Sequence, residues 1–209
     1  MNDRKHDKLS AQPCRRGFLR RSLELSAAAG AIGAAGVRPA QASINSAAAG
    51  SAAAGAERSL AFVHTHTGER IELVYAAGSE FDDGAMERLN HFLRDHYSGD
   101  VGRMDPQLFD LLHALRARVG GQLAGRGAFE VISAYRSPAT NATLRSSRAG
   151  GVAKNSLHMQ GRAIDIRLPG VPLVALRLAA LSLRAGGVGY YPRDGFVHVD
   201  TGAIRSWQG

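Results

Sequence analysis

Two short runs, Ala163-Ile164-Asp165-Ile166 and Phe196-Val197-His198-Val199-Asp200, constrain this chain more than any other stretch. Each alternates with a period of two, the pattern of a half-buried strand. Ile164 and Ile166 share one face, and Asp165 points to the other. Val197 and Val199 likewise face inward, leaving Phe196, His198 and Asp200 on the opposite side. Ser156-Leu157-His158-Met159-Gln160-Gly161 precedes the first run, and its glycine supplies a bend at which positive φ is cheap. That bend returns His158 over the face that carries Asp165. Neighbouring strands lie about 4.8 Å apart, so one strand brings His198 to the same point. Two imidazoles and one carboxylate make a three-ligand zinc site with its fourth position open, an arrangement suited to making water nucleophilic near neutral pH. His158, Asp165 and His198 are therefore the candidate metal ligands. Each of them alone also fits a hydrogen-bonded structural role; the set is what points to a metal.

The surrounding pattern predicts one α+β domain, a small and mostly antiparallel sheet with helices packed on one side. Leu60 to Val63 and Arg70 to Tyr75, joined by Thr67-Gly68-Glu69, read as a hairpin. His64 and His66 alternate onto one face of it, but no further ligands are evident nearby, so they are not read as a metal pair. Glu69 is expected to bond a neighbouring backbone group or an arginine. Asp82-Asp83-Gly84 opens a helix to about Tyr97, with Met86, Leu89, Phe92 and Leu93 on one stripe. His91 and His96 lie five apart and do not stack on one helical face; they read as solvated or capping. Asp105-Pro106 caps a second helix running to about Val119, with His113 packed or on the surface. Phe129 to Ala134 reads as a buried strand ended by Tyr135-Arg136-Ser137-Pro138. Asn141 to Arg148 and Val171 to Ala185 read as helices. Tyr190 and Tyr191 fit either a cleft lining or core packing, and Trp207 is expected to pack over the sheet.

Residues 1–42 have the layout of a removable export signal. They hold Arg15-Arg16-Gly17-Phe18-Leu19-Arg20, which resembles the twin-arginine motif, then a weakly apolar run from Leu23 to Val37, then Ala40-Gln41-Ala42 as a cleavage site. The apolar run is too short and too rich in Ala and Gly for a span of about 20 residues. The expected mature chain starts near Ser43 in the periplasm, delivered by the twin-arginine machinery and without a membrane span. Residues 43–57, made largely of Ala, Ser and Gly, read as a flexible linker, and 58–209 as the domain.

This division reinterprets the charge. The full chain carries +8, but residues 1–42 contribute eight basic against three acidic residues, leaving eighteen against fifteen. With no basic cluster interleaved with aromatics after residue 42, nucleic acid is not an expected partner. The single cysteine, Cys14, lies in the leader, so the mature chain has no disulfide and no thiolate ligand.

Ser156-x-His158, six residues, Asp165 and a late His198 resemble the M15 peptidases, the D-Ala-D-Ala carboxypeptidase and dipeptidase group that shares its fold with the hedgehog signalling domain. Within that group the chain is similar to the murein endopeptidase branch of YcbK-like proteins, over roughly residues 58 to 209. The matching stretches are His66-Thr67-Gly68-Glu69, Ser133 to Pro138, Asn141, Gly151-Val152-Ala153, Ser156 to Met159, Gly186 to Tyr191 and Phe196 to Trp207. The resemblance implies a zinc endopeptidase acting on peptidoglycan peptides at a bond involving a D-centre, with Arg136 in the active site. It also implies a carboxylate base three residues before the last histidine, where this chain has Gly195. Asp200 is the first candidate for the base, or for a carboxylate that orients His198; Asp194 is the runner-up. Ser156 is expected to orient substrate or brace His158, since no base partner makes it a nucleophile. Two other readings stay open: a zinc-stabilised module that binds wall peptides without cutting them, and a D,D-dipeptidase or carboxypeptidase.

Overall fold

The computed structural model describes residues 55–120, 127–147 and 152–209. The expected leader and most of the expected linker lie outside these residues, as do Arg148 and Gly151. In chain order come β1 (Glu57–His64), β2 (Arg70–Ala77), β3 (Glu80–Phe81), α1 (Asp83–Phe92), α2 (Pro106–Gly120), β4 (Phe129–Ser133) and α3 (Pro138–Ser147). A single 3-10 turn (Leu157–Gln160), β5 (Ala163–Arg167), α4 (Leu173–Leu183), β6 (Gly187–Tyr191), β7 (Phe196–Asp200) and β8 (Arg205–Gln208) follow. The fold is α+β. Its sheet is larger than the pattern suggested, eight strands in the order β3-β2-β1-β4-β5-β7-β6-β8. Pairing is antiparallel except between β1 and β4 and between β6 and β8.

One face of the sheet carries the apolar core. Leu60 and Phe62 of β1, Val131 of β4, Ile164 and Ile166 of β5 and Val197 and Val199 of β7 are all essentially inaccessible. They pack with Leu89 of α1, Leu108, Leu112 and Leu115 of α2 and Leu176 of α4 in one cluster. Fully burying a side chain of this size stabilises by about 1.5–3 kcal/mol, so this layer fixes which way every strand faces. The buried residues of α3 are instead polar, Thr140 and Asn141. No helix among the described residues is long and apolar enough to cross a membrane.

Several boundaries differ from the sequence reading, each for a local reason. β1 begins at Glu57, inside the expected linker, because Glu57 already pairs with Ala77. α1 starts as expected, with Asp82 accepting from the Ala85 amide at 2.5 Å, but stops at Phe92 rather than near Tyr97. Asp95 captures the Tyr97 amide and turns the chain away. α3 starts at Pro138, three residues early, because the Ser137 hydroxyl accepts from the Thr140 amide and proline suits a first helical position. Arg205–Gln208 is an edge strand, so Trp207 belongs to the sheet itself.

Candidate metal centre

β5 and β7 pair antiparallel with Asp165 opposite His198, and both side chains leave the sheet on the face away from the apolar core. The 3-10 turn supplies the third group. Ser156 caps it by accepting from the His158 amide at 3.4 Å, and Gly161 ends it in the left-handed region at φ 66°. A side chain at Gly161 would meet the Arg103 carbonyl, so this turn needs glycine for space as well as for φ. His158 is thereby carried over β5.

The three donor atoms converge. His158 Nε2 lies 3.3 Å from Asp165 Oδ1 and 3.2 Å from His198 Nδ1, and His198 Nδ1 lies 2.8 Å from Asp165 Oδ1. Zinc with bonds of about 2.0–2.1 Å in tetrahedral geometry sets its ligands roughly 3.3 Å apart, so these atoms form one face of such a tetrahedron with slight contraction. Among the described residues this is the one group of three or more His, Cys, Asp or Glu close enough to share an ion. All three residues are more than nine-tenths buried.

The outward ring nitrogens are held as well. His158 Nδ1 meets the Ala134 carbonyl at 2.7 Å, and His198 Nε2 meets Asp200 Oδ2 at 3.1 Å. Such partners fix ring orientation and raise basicity in metal-bound histidines. Burial opposes charge on His198, but Asp165 and Asp200 outweigh it and raise its pKa to about 9. Burial likewise pushes the Asp165 carboxyl up, and the two imidazoles more than reverse this, holding it well below the usual carboxylate range. The donor set is electron-rich and suited to a cation.

Asp200 is inaccessible to solvent. Its Oδ1 accepts from the amides of Gly187 (3.0 Å) and Gly202 (2.8 Å), and Arg205 spans both its oxygens at 3.1 and 2.7 Å. Trp207 lies with its ring 5.1 Å from that of His198 and donates from Nε1 to the Tyr191 hydroxyl at 2.8 Å. Arg136 reaches from the segment after β4, its Nη2 3.9 Å from Asp165 Oδ2. Arg136, Asp165, His198, Arg205 and Trp207 line one cleft of about 770 Å³, together with Asp194, Arg193 and the stacked pair Tyr191 and Phe196, while Asp200 lies beneath it.

The structure brings the expected ligands His158, Asp165 and His198 together, with Arg136 on the same cleft. The sequence reading missed Arg205 and Trp207 as neighbours of the last histidine, because their run is too short and too exposed to read as a strand. Tyr191 lines the cleft, whereas Tyr190 packs against the core under Arg177. Glu69 pairs with Arg94 at 2.6 Å. His96 is neither solvated nor a cap: it stacks on His66 at 4.1 Å, beside the buried His64, and its Nε2 is enclosed.

The family model described as peptidoglycan L,D-endopeptidase MepK matches residues 52–207. Over 150 residues the chain is 45% identical to the peptidoglycan L,D-endopeptidase MepK of Escherichia coli (strain K12), covering 72% of this chain and 80% of the relative. Over 152 residues it is 43% identical to the probable peptidoglycan L,D-endopeptidase MepK of Haemophilus influenzae, covering 73% and 80%.

Proposed function

We propose a reaction for this chain, which belongs to the peptidoglycan L,D-endopeptidase MepK family of peptidases: zinc-dependent hydrolysis of peptide cross-links in peptidoglycan. The observation that carries the metal part is the triangle of His158 Nε2, Asp165 Oδ1 and His198 Nδ1 at the wall of the cleft. Zinc held by these three residues would supply Lewis acidity and make a water nucleophilic near neutral pH.

The protein groups divide the remaining work. Arg136 presents its guanidinium beside Asp165, where it can stabilise the negative charge that develops on the attacked carbonyl oxygen. The base needs a carboxylate that is free to exchange a proton with water and with the leaving amine. Asp200 fits that role poorly, since both its oxygens are occupied and it is sealed from solvent. It suits orienting His198. Asp194 is exposed, lines the cleft and makes no hydrogen bond or ion pair among the described residues. We assign the base to Asp194. Gly195, at the position where the resemblance implies a base, has φ 73°, a conformation that favours glycine over an acidic residue.

Export by the twin-arginine leader, cleavage near Ser43 and action in the periplasm belong to the same reading. N-terminal sequencing of the exported species tests the cleavage. Incubating zinc-loaded protein with purified sacculi and separating the released muropeptides tests the reaction. New cross-link cleavage products support it. Binding without products would favour the non-catalytic module, and activity confined to soluble D,D-dipeptides would favour a dipeptidase.

A further inference from the structure

Asp95 is a carboxylate only 1% exposed, and it forms no ion pair among the described residues. Burying a charge without a counter-ion costs several kcal/mol unless hydrogen bonds replace the lost water. Here they do. Oδ1 accepts from the Tyr97 amide and Oδ2 from the Ser137 amide, both at 2.9 Å. Burial raises its pKa, but donors on Thr140, Ser137 and Tyr97 outweigh it and bring the value down to about 2. Asp95 is therefore a fixed anion, anchored to the residue that follows Arg136.

The Arg136 side chain meets three groups of the site. Nη1 reaches Asn141 Oδ1 at 3.4 Å, Nη2 reaches Ser133 Oγ at 3.3 Å, and Asp165 lies at 3.9 Å. The Arg136 backbone is held at the residue itself and on both sides. The Tyr135 amide donates to the Leu93 carbonyl at 3.0 Å, the Arg136 amide to the His158 carbonyl at 3.2 Å, and the Ser137 amide to Asp95. Ser137 in turn starts α3 through the Thr140 amide, and α3 delivers Asn141 to the guanidinium. One buried carboxylate thus fixes both the chain that bears Arg136 and the helix that meets its tip.

We propose that Asp95 is a positioning residue, which sets the location of the Arg136 guanidinium at the cleft. This rests on the reading above, in which Arg136 stabilises charge in the transition state. A displacement of about 1 Å at such a group is enough to cost on the order of 100-fold in rate.

The test is a double-mutant cycle in the zinc-loaded full chain, with Asp95→Ala, Arg136→Ala and the pair, assayed on a defined cross-linked muropeptide. Asp95→Ala should lower kcat about 10- to 100-fold, with KM nearly unchanged and zinc content equal to wild type. In the Arg136→Ala background it should change kcat by less than about twofold, because the two losses are one loss. Independent, multiplicative losses would overturn the proposal. If Asp95→Ala fails to fold, Asp95→Asn keeps the shape, places an NH₂ against one of the two amides and enters the same cycle. If the wild-type chain binds the muropeptide without cutting it, the hydrolase reading fails by itself. The cycle is then read in Kd, and additivity there again sinks the role of Asp95.

Discussion

Asp165 and His198 are direct cross-strand partners in the β5–β7 ladder, and their side chains meet at 2.8 Å on the face opposite the apolar core. Two of the three candidate metal ligands are therefore placed by strand register. A slip of one residue would turn both groups to the other face and drive Ile164 and Val199 out of the core. The burial that holds Ile164, Ile166, Val197 and Val199 inward is what keeps the two ligands together.

Removing either member of that pair should empty the centre. Asp165→Ala and His198→Ala are expected to weaken zinc binding at least about 100-fold relative to wild type, since two protein ligands do not make a structured zinc site. Equilibrium dialysis with metal analysis reads this directly. Equimolar zinc retained by both variants would refute the ligand assignment.

Asp194 and Asp200 should separate by phenotype. Asp194→Asn is expected to keep zinc and thermal stability while losing about 10²- to 10⁴-fold in kcat. Asp200→Asn is expected to weaken metal affinity about 10- to 100-fold, because it disturbs the partner of His198 Nε2 and the acceptor of Arg205. The reverse pattern, with Asp200→Asn fully metallated and inactive, would return the base to Asp200.

Trp207 is the chain's one tryptophan, and its ring lies 5.1 Å from that of His198. Cobalt(II) titrated into metal-free protein should therefore quench its emission in a saturable way, at one ion per chain. His158→Ala should abolish that response at the same concentrations. Quenching that persists in the variant would mean that the fluorescence reports some other ion site.

The imidazole cluster of His64, His66 and His96 predicts an acid-sensitive region. Burial, followed by the neighbouring His66 and His64, lowers the His96 pKa to about 4, and His64 is lowered too, first by burial. The charges around them are Glu69, Arg94, Asp95 and Arg136. A histidine lowered on folding leaves the unfolded chain holding more protons between about pH 4 and pH 6.5. Stability then falls as pH falls through that window. The loss should be on the order of 2 kcal/mol after allowance for solvent screening. Thermal melts from pH 7 to pH 4 read the slope, and His96→Gln should flatten it. Asp95 and Asp200, lowered by their hydrogen bonds, destabilise only below about pH 4, which keeps the two effects apart. An unchanged slope in His96→Gln would show that other groups set the acid limit.

Strand periodicity made β4, β5 and β7 legible, and through them Asp165 and His198. The Ser156-to-Gly161 stretch was legible because a bend before a strand leaves few places for His158. Asp95 was not legible. Its role depends on receiving the Ser137 amide, 42 residues away, and nothing local distinguishes it from a surface aspartate. The same holds for the early end of α1, where a helical pattern continued past the residue that broke it. β8 escaped because four residues with three exposed carry almost no alternation signal. The choice between Asp194 and Asp200 needed burial, since strand parity puts Asp194, His198 and Asp200 on one face.

Asp165 and His198 are 33 residues apart, and the segment between them includes all of α4 and β6. Until that long excursion closes, the polypeptide can offer an ion at most the nearby pair His158 and Asp165. Tight capture must therefore wait for β7 to zip onto β5, and a captured ion then acts as a rivet through the middle of the sheet. At a free-ion level a thousand times Kd, that rivet would add about 4 kcal/mol to the folded state. Scarcity of the ion would then shorten the lifetime of the protein, quite apart from any chemistry the ion supplies.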